Sequence, residues 1–486
     1  MSLLRQNIST GILYTAITKY SGVVISIVIG AVLARLLSPA EFGVVALVTV
    51  FISFFNILSD VGIGPAIVQN KELTEKDVQS IFLFSISLGV VLSLLFFLSS
   101  TIIAYFYNNT ELIPLTRLLS LTVLFSAFRI VPNALLLKKL KFKKVGLATI
   151  FVQLFSGIFA VILAYKGFSY YALVYKSIFD SFFLCFLFYW LSPIKLKLKI
   201  DKNALQKIMH FSTFQFLFNF INYFSRNADN LLIGKFISPS ALGYYDRSYQ
   251  LMMMPVQNLT HVITPVLHPV LSEFQNDKPK IYEAYLKVIK LLAAIGFPLS
   301  VFLYFAASEI ILILYGQQWE QSIPVFELLA LTVGIQMVLS SSGSIFQAVN
   351  RTDLLFYSGS LSAIIMISGV CYGIFIGKSI EAVGHGLMFS FTINFFQGFY
   401  FLIKIALKSS IRKFLKIFIF PIIVSAFVGL SLWFFVKMNF ENLYLSFVLK
   451  IIIYIFVFCI VNLFKKENRE ILFQFLTRVK VIGDWK

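Results

Sequence analysis

The stretch Ala34–Val45, ARLLSPAEFGVV, returns 200 residues later as GKFISPSALGYY at Gly234–Tyr245. Arg35 aligns with Lys235, Ser38-Pro39 with Ser238-Pro239, and Gly43 with Gly243. Each copy sits in a short break between two long apolar runs, and so joins the first and second helices of a unit. One constant offset at the same place in the order of runs marks an internal duplication, a recurrent signature of membrane transporters.

The flanking runs stay apolar for twenty or more residues, the length of a bilayer-spanning helix (about 20 residues). The rest of the chain has the same character. Its 486 residues are 59% hydrophobic, 17% aromatic and 13% charged, with a mean hydropathy of +0.87. At about 20 apolar residues per span this supplies about fourteen spans. A soluble enzyme is excluded, because globular chains are about a quarter charged. An outer-membrane barrel is excluded because its strands alternate apolar and polar residues. The fold class is all-α, a polytopic membrane protein.

Breaks at charged or Gly/Pro-rich stretches place the fourteen spans at 12–34, 42–69, 78–106, 112–137, 145–165, 168–190, 210–236, 241–271, 285–306, 322–347, 354–376, 381–403, 414–436 and 443–464. The first is expected to be a retained anchor, since Met1–Thr10 has one basic residue and no cleavage-like small-residue site. The repeated motif joins spans 1–2 and spans 7–8. Six spans is an even number, so the two units share one orientation, a parallel repeat about an axis along the membrane normal. The expected domains are an N-lobe at 1–195, a C-lobe at 196–408, and two accessory spans with a tail at 409–486. Two related lobes suit alternating access to a site on their facing surfaces.

The net charge of +19 has a topological explanation. With a cytoplasmic N-terminus, 29 of the 41 Lys and Arg fall in inside loops or the tail, five fall outside, and seven lie at membrane depth. That bias follows the positive-inside rule and sets both termini in the cytoplasm. The runs KKLKFKK (138–144) and KLKLKIDK (195–202) are juxtamembrane, with no aromatic platform for stacking bases, so no nucleic-acid partner is expected. Cys185, Cys371 and Cys459 lie singly in apolar runs, without the clustering of a disulfide frame or a zinc site. No metal and no cofactor are expected. There is no GxxxxGK[ST] loop, so this chain does not itself use ATP. No loop exceeds about 20 residues, too little for the catalytic domain of a membrane polymerase.

Ionisable groups inside spans are costly, about 2.5–3.5 kcal/mol each at helix centre, and call for a cavity or a partner. On span 7, Gln215, Asn219, Asn222, Arg226 and Asp229 fall at steps of four, three, four and three, all on one helix face. Span 8 repeats the pattern with Arg247, Gln250, Met254, Gln257, His261, Thr264 and His268. Span 2 offers Thr49, Ser53, Asn56 and Asp60; span 4 offers Thr122, Ser126, Arg129 and Asn133; span 6 offers Ser169, Lys176 and Asp180. Lys19 lies on span 1 above Gly22, Ser26 and Gly30. For Ser, Thr and Gly the simpler role is helix–helix packing. Lys176–Asp180 and Arg226–Asp229 are spaced as internal ion pairs. Arg117 and Lys450, near helix ends, are expected to snorkel to the interface. His385 lies in a turn-like GHG. The expected substrate-binding residues are Lys19, Asn56, Arg129, Lys176, Asn219, Asn222, Arg226 and Arg247. Asp60, Asp180, Asp229, His261 and His268 are the expected coupling residues, the histidines because they titrate near neutral pH. The excess of cations favours an anionic group such as a pyrophosphate, met by planar Arg donors.

These stretches also carry a resemblance. LARLLSPAEFG (33–43), DVGIGPAIVQ (60–69), VPNALLLKKLKF (131–142), ADNLLIGKFISPSALGYYDRSYQL (228–251) and QAVNRTDLL (347–355) resemble the bacterial Wzx-type polysaccharide flippases. Within the multidrug/oligosaccharidyl-lipid/polysaccharide exporter superfamily, the colanic-acid-exporter-like branch is the nearest in pattern. The resemblance implies a V-shaped pair of six-helix lobes with two accessory helices that form a groove for a lipid tail. It implies translocation of an undecaprenyl-pyrophosphate-linked oligosaccharide, an O-antigen or exopolysaccharide repeat unit, across the bacterial cytoplasmic membrane. The implied partners are that substrate, membrane lipids and polysaccharide polymerase machinery, with the chain itself a monomer and not an enzyme. With no ATP site, coupling to an ion gradient is expected. A multidrug or cation antiporter of the same superfamily is the alternative, disfavoured because cationic drugs call for acidic cavities. A membrane glycan polymerase or ligase ranks third.

Overall fold

The fold comes from a computed structural model. It describes residues 2–60, 62–70, 72–195, 201, 223, 227–272, 274–275 and 277–463, with side chains at all of these except 2–17, 261–270 and 272. Among the described residues every regular element is helical. The chain divides into two compact units, 1–243 and 244–486.

The first unit holds α1 (Ser2–Leu36), α2 (Pro39–Asp60), α3 (Ile63–Gln69), α4 (Glu75–Leu98), α5 (Ser100–Tyr107), α6 (Leu112–Lys138), α7 (Phe142–Tyr165) and α8 (Tyr171–Leu191). Helix α6 is the hub and packs against α2, α3, α4, α5, α7 and α8. The reason is its stripe Leu115, Leu119, Val123, Ala127, Val131 and Ala134, which recurs at helical spacing and is fully buried. Small residues on α4 let it approach closely: a Cβ on Gly89 would stand 2.3 Å from that of Ala127. Ser85 and Ser93 donate to the carbonyls of Ala127 and Ser120, both at 2.8 Å. These hydroxyls are packing groups, as small polar residues between membrane helices usually are.

The repeated motif has a mechanical meaning. Ser38 caps α2: its backbone N–H donates to Glu41 at 2.6 Å, its hydroxyl donates to the same carboxylate at 2.8 Å, and the Glu41 N–H donates back to the hydroxyl at 3.4 Å. With Pro39 at the first helical position this is a capping box, so Ser-Pro-x-Glu reads as a helix start. In the second copy the Ser238 hydroxyl accepts from the Ala241 N–H at 3.0 Å, half of the same box.

The two copies also touch each other. A Cβ on Gly43 would stand 1.7 Å from the Pro239 carbonyl oxygen, and one on Gly243 would stand 2.0 Å from that of Pro39. Residue i of one copy meets j of the other and j meets i, as across a two-fold axis. Beside the crossing, Gly234 packs on Leu47, and the Tyr223 hydroxyl donates to the Val50 carbonyl.

The second unit continues α9 (Pro239–Ser272) and holds α10 (Lys278–Phe305), α11 (Ala307–Leu314), α12 (Ser322–Ala330), α13 (Val333–Leu339), α14 (Ser342–Ala348), α15 (Thr352–Cys371), α16 (Ile380–Phe399), α17 (Ile411–Val436) and α18 (Leu443–Leu463). π-helical turns, Tyr372–Gly377 and Tyr400–Ala406, extend α15 and α16. The duplication seen in the motif runs through the helices. The starts Leu112, Phe142 and Tyr171 return at Ser322, Thr352 and Ile380, 209 or 210 residues later. The third span breaks after Leu98 and continues as the eight-residue α5, and its counterpart breaks after Phe305 and continues as the eight-residue α11.

Fourteen uninterrupted spans are not what the described residues contain. Eleven helices are long and apolar enough to cross a membrane, or up to twelve if the pair Ser322–Ala330 and Val333–Ala348, bent by 47°, is one span. The expected seventh span, 210–236, lies mostly outside the described residues. The expected eighth is helical throughout as α9, but its polar face keeps it out of the eleven. Span 2 is broken rather than continuous over 42–69: Gly62 has φ +74°, and the Asp60 carboxylate accepts from the Gly64 N–H at 3.2 Å. Only glycine takes that backbone conformation without strain. The GHG segment is helix interior, not a turn. Gly386 is needed because a Cβ there would meet the Gly369 carbonyl oxygen of α15 at 2.1 Å.

Candidate functional site

The polar residues of α6, α7 and α8 converge within the first unit. On α8, Lys176 donates to Asp180 at 2.7 Å, the i, i+4 pair expected from spacing. Ser156 of α7 donates to the other Asp180 oxygen at 2.5 Å. Arg129 of α6 is half-buried within electrostatic range of Asp180 and of the Cys185 thiol, and among the described residues it has no hydrogen-bond or ion-pair partner. Asp180 is therefore neutralised by Lys176 and bound by Ser156, while the guanidinium keeps its charge. The cluster carries two cations and one anion, an excess of one positive charge at membrane depth.

That excess is what the chemistry turns on. A guanidinium in a low-dielectric region without a carboxylate partner favours an anionic oxygen that can accept two parallel N–H bonds. A pyrophosphate oxygen pair has that geometry.

Around this cluster the remaining first-unit residues are placed as follows. Lys19 is half-buried on α1, which packs along α7. Gln153 of α7 donates to the Gly22 carbonyl at 3.0 Å, so the small-residue face of α1 serves packing. Asn56 on α2 and Asn133 on α6 each have a buried side-chain oxygen without a partner among the described residues. Asp60 caps the break in span 2, and a Cβ on Gly64 would lie 3.4 Å from it and 4.0 Å from Ile130, beside Arg129 in sequence. Asp229 is buried, and one of its oxygens accepts from the Asn230 N–H at 2.8 Å. Asn219, Asn222 and Arg226 lie outside the described residues. Ser169 precedes α8, and its hydroxyl donates to the capping carboxylate Glu41.

In the second unit Arg247 is held locally: its Nη2 lies 3.4 Å from Asp246, and it hydrogen-bonds Tyr315. Burial pushes the Tyr315 phenol above its ordinary range, with Arg247 opposing the shift. Asp246 also accepts from Gln250 at 2.8 Å. His261 and His268 fall on α9, whose side chains are not described there.

Two pairings were not visible in sequence. Ser156 reads as one small residue among many, and its role depends on α7 and α8 packing side by side. Lys450, expected to snorkel, is instead buried in an ion pair with Glu309 of α11. The distant partner is the reason: an interior carboxylate replaces the interface as the place for its charge.

The arrangement defines the protein first as a polytopic helical membrane protein by fold. It superposes on the lipid II flippase MurJ in its inward closed conformation with a TM-score of 0.76, covering 95% of this chain and 100% of that one at 16% identity. Residues 32–324 match the family model described as polysaccharide biosynthesis protein, and the chain belongs to that family. It is 28% identical over 375 residues to the teichuronic acid biosynthesis protein TuaB of Bacillus subtilis (strain 168), covering 74% of each chain. It is 25% identical over 463 residues to the lipopolysaccharide biosynthesis protein WzxC of Escherichia coli (strain K12), covering 93% of this chain and 89% of that one.

Proposed function

We propose that this protein is a flippase that moves a lipid-linked oligosaccharide, an undecaprenyl-pyrophosphate-linked O-antigen or exopolysaccharide repeat unit, across the bacterial cytoplasmic membrane. The observation that carries the reading is the unneutralised Arg129 beside the Lys176–Asp180 pair. A pyrophosphate linkage supplies the anion that this excess calls for, and family membership supplies the polysaccharide pathway. Lys19, Asn56, Asn219, Asn222, Arg226 and Arg247 are proposed to complete the binding surface. Asp60, Asp180, Asp229, His261 and His268 are proposed to couple it to an ion gradient.

Translocation is proposed to proceed by alternating access of two related six-span lobes, 1–195 and 196–408, with accessory spans over 409–486 and both termini in the cytoplasm. The protein acts as a monomer alongside polymerase machinery, without a catalytic step of its own. The test is deletion of the gene followed by assay of lipid-linked repeat units by leaflet. Accumulation on the cytoplasmic leaflet, relieved by the wild-type gene but not by Arg129→Ala or Arg226→Ala, supports the reading. Full relief by both variants removes the cationic site from it.

A further inference from the structure

Between α16 and α17 of the second unit a groove of about 190 Å³ opens. Its floor is Phe395, Phe399 and Phe414, all buried, with the Phe414 ring centroid 4.5 Å from that of Phe399 and 6.0 Å from that of Phe395. Its walls are Phe396 and Tyr400 on one side and Leu415 on the other, 59%, 52% and 41% exposed. The segments Ile380–Ala406 and Ile411–Val436 are each long and apolar enough to cross a membrane, so the turn that joins them lies at a membrane surface.

Both walls lead to cations at that surface. Phe396, Tyr400 and Lys404 follow one another at steps of four, and Arg412, Leu415, Lys416 and Ile419 share one exposed face of α17. With Lys408 in the turn, four exposed cations stand at the head of the groove. Among the described residues none of these four side chains has an ion pair or a hydrogen bond. No Asp or Glu occurs between Glu381 and Glu441 to offset them. A fifth cation, Lys413, pairs with Glu283 of α10, and the Tyr282 hydroxyl donates to the Ser410 carbonyl at 2.5 Å. Helix α10 thus holds the turn in place, and a ligand meets a groove already formed.

Cations at a membrane surface serve topology wherever they stand. Topology does not require them at the head of both walls. Nor does it explain Arg412 and Lys413 in the first turn of α17, where the positive end of the helix dipole disfavours them and no acidic residue is present. An anion compensates both. The molecule that suits the apolar walls and the cations together carries an alkyl chain below an anionic head. The bilayer supplies such a molecule at all times, so mass action favours it over a scarce carrier lipid.

We propose that this groove binds an anionic phospholipid of the bilayer, with an acyl chain against Phe396, Tyr400 and Leu415 and the headgroup phosphate on Lys404, Arg412 and Lys416. The association is non-covalent. It concerns a resident lipid and is independent of the flippase reading.

The test is photolabelling of the full chain in phosphatidylcholine nanodiscs. The probes are phosphatidylglycerol and phosphatidylcholine with the same photoreactive diazirine on the acyl chain, and adducts are mapped by mass spectrometry. Choline cancels the phosphate charge, and one Lys or Arg beside an anionic lipid is worth about fivefold in affinity. The phosphatidylglycerol probe should therefore label residues 395–415 at least about fivefold more than its partner probe. Lys404→Gln, Arg412→Gln and Lys416→Gln combined should abolish that preference. Leu415→Trp, which fills the groove, should reduce labelling there by both probes. Excess phosphatidylglycerol should displace the label, and undecaprenyl pyrophosphate should not. Equal labelling by the two probes overturns the proposal, as does a preference that survives in the triple variant. Displacement by undecaprenyl pyrophosphate alone overturns it too, and makes the groove a carrier-lipid site. If the triple variant does not fold, Leu415→Trp and the competition decide the matter.

Discussion

Gly43→Ala puts a methyl group where there is no space. The new Cβ would stand 1.7 Å from the Pro239 carbonyl oxygen, a backbone atom that cannot rotate away. Real Cβ atoms essentially never come closer than 3.0 Å to such an atom, so α2 and the second copy of the motif must part by more than 1 Å at the crossing. Overpacking of this kind costs about 1–3 kcal/mol. If alternating access makes and breaks this crossing, the same energy shifts the balance of states about 5–150-fold toward the parted one. Spin labels at the exposed, repeat-related positions Leu36 and Phe236 report the separation by pulsed electron resonance in nanodiscs. The short-distance population should fall by that factor, and translocation with it. Gly243→Ala should do the same, because its Cβ meets the Pro39 oxygen at 2.0 Å. The double variant should cost little more than either single one, since one widening accommodates both methyl groups. Gly30→Ala, with nothing within 4 Å, is the control. Unchanged distances in Gly43→Ala and Gly243→Ala would falsify the idea that the motif's glycines hold the crossing together.

Three further outcomes are expected. Ser156→Ala removes a hydrogen bond to the Asp180 carboxylate and should cost about 1–2 kcal/mol, seen as a lowered unfolding midpoint with impaired translocation. Asp77→Ala breaks the capping box that starts α4, where the Thr74 N–H and hydroxyl both donate to Asp77 at 2.9 Å, and should cost about 1 kcal/mol in denaturant titration. The raised Tyr315 phenol favours the folded state while neutral, so its contribution is complete below the ordinary phenol range near pH ~10 and is lost as pH rises through the raised value. Tyr315→Phe should lose less stability than wild type over that alkaline interval, measured by thermal unfolding across pH.

The composition, the continuous apolar runs and the Ser-Pro…Gly duplication were enough for an all-helical membrane protein with an internal parallel repeat. Those properties are local or periodic: an apolar run forms a helix in lipid whatever its neighbours, because its backbone must satisfy itself. The Lys176–Asp180 pair was legible for the same reason, since one helical turn sets its distance. The breaks in spans were not legible. The break at Gly62 falls inside a run read as one span, and the break after Phe305 shows as the counterpart of the break after Leu98 only once the two halves are compared.

Other features were decided in three dimensions. Ser156 reaches Asp180 across 24 residues, Glu309 reaches Lys450 across 141, and Gly43 meets its own repeat. Side-chain periodicity says which face of a helix is polar, but the partner on that face depends on which helix packs there. Arg129 shows both sides. Its sequence marks it as a costly intramembrane cation, and only the packing of α6 beside α8 shows that the carboxylate near it is Asp180, which its own helix already pairs with Lys176.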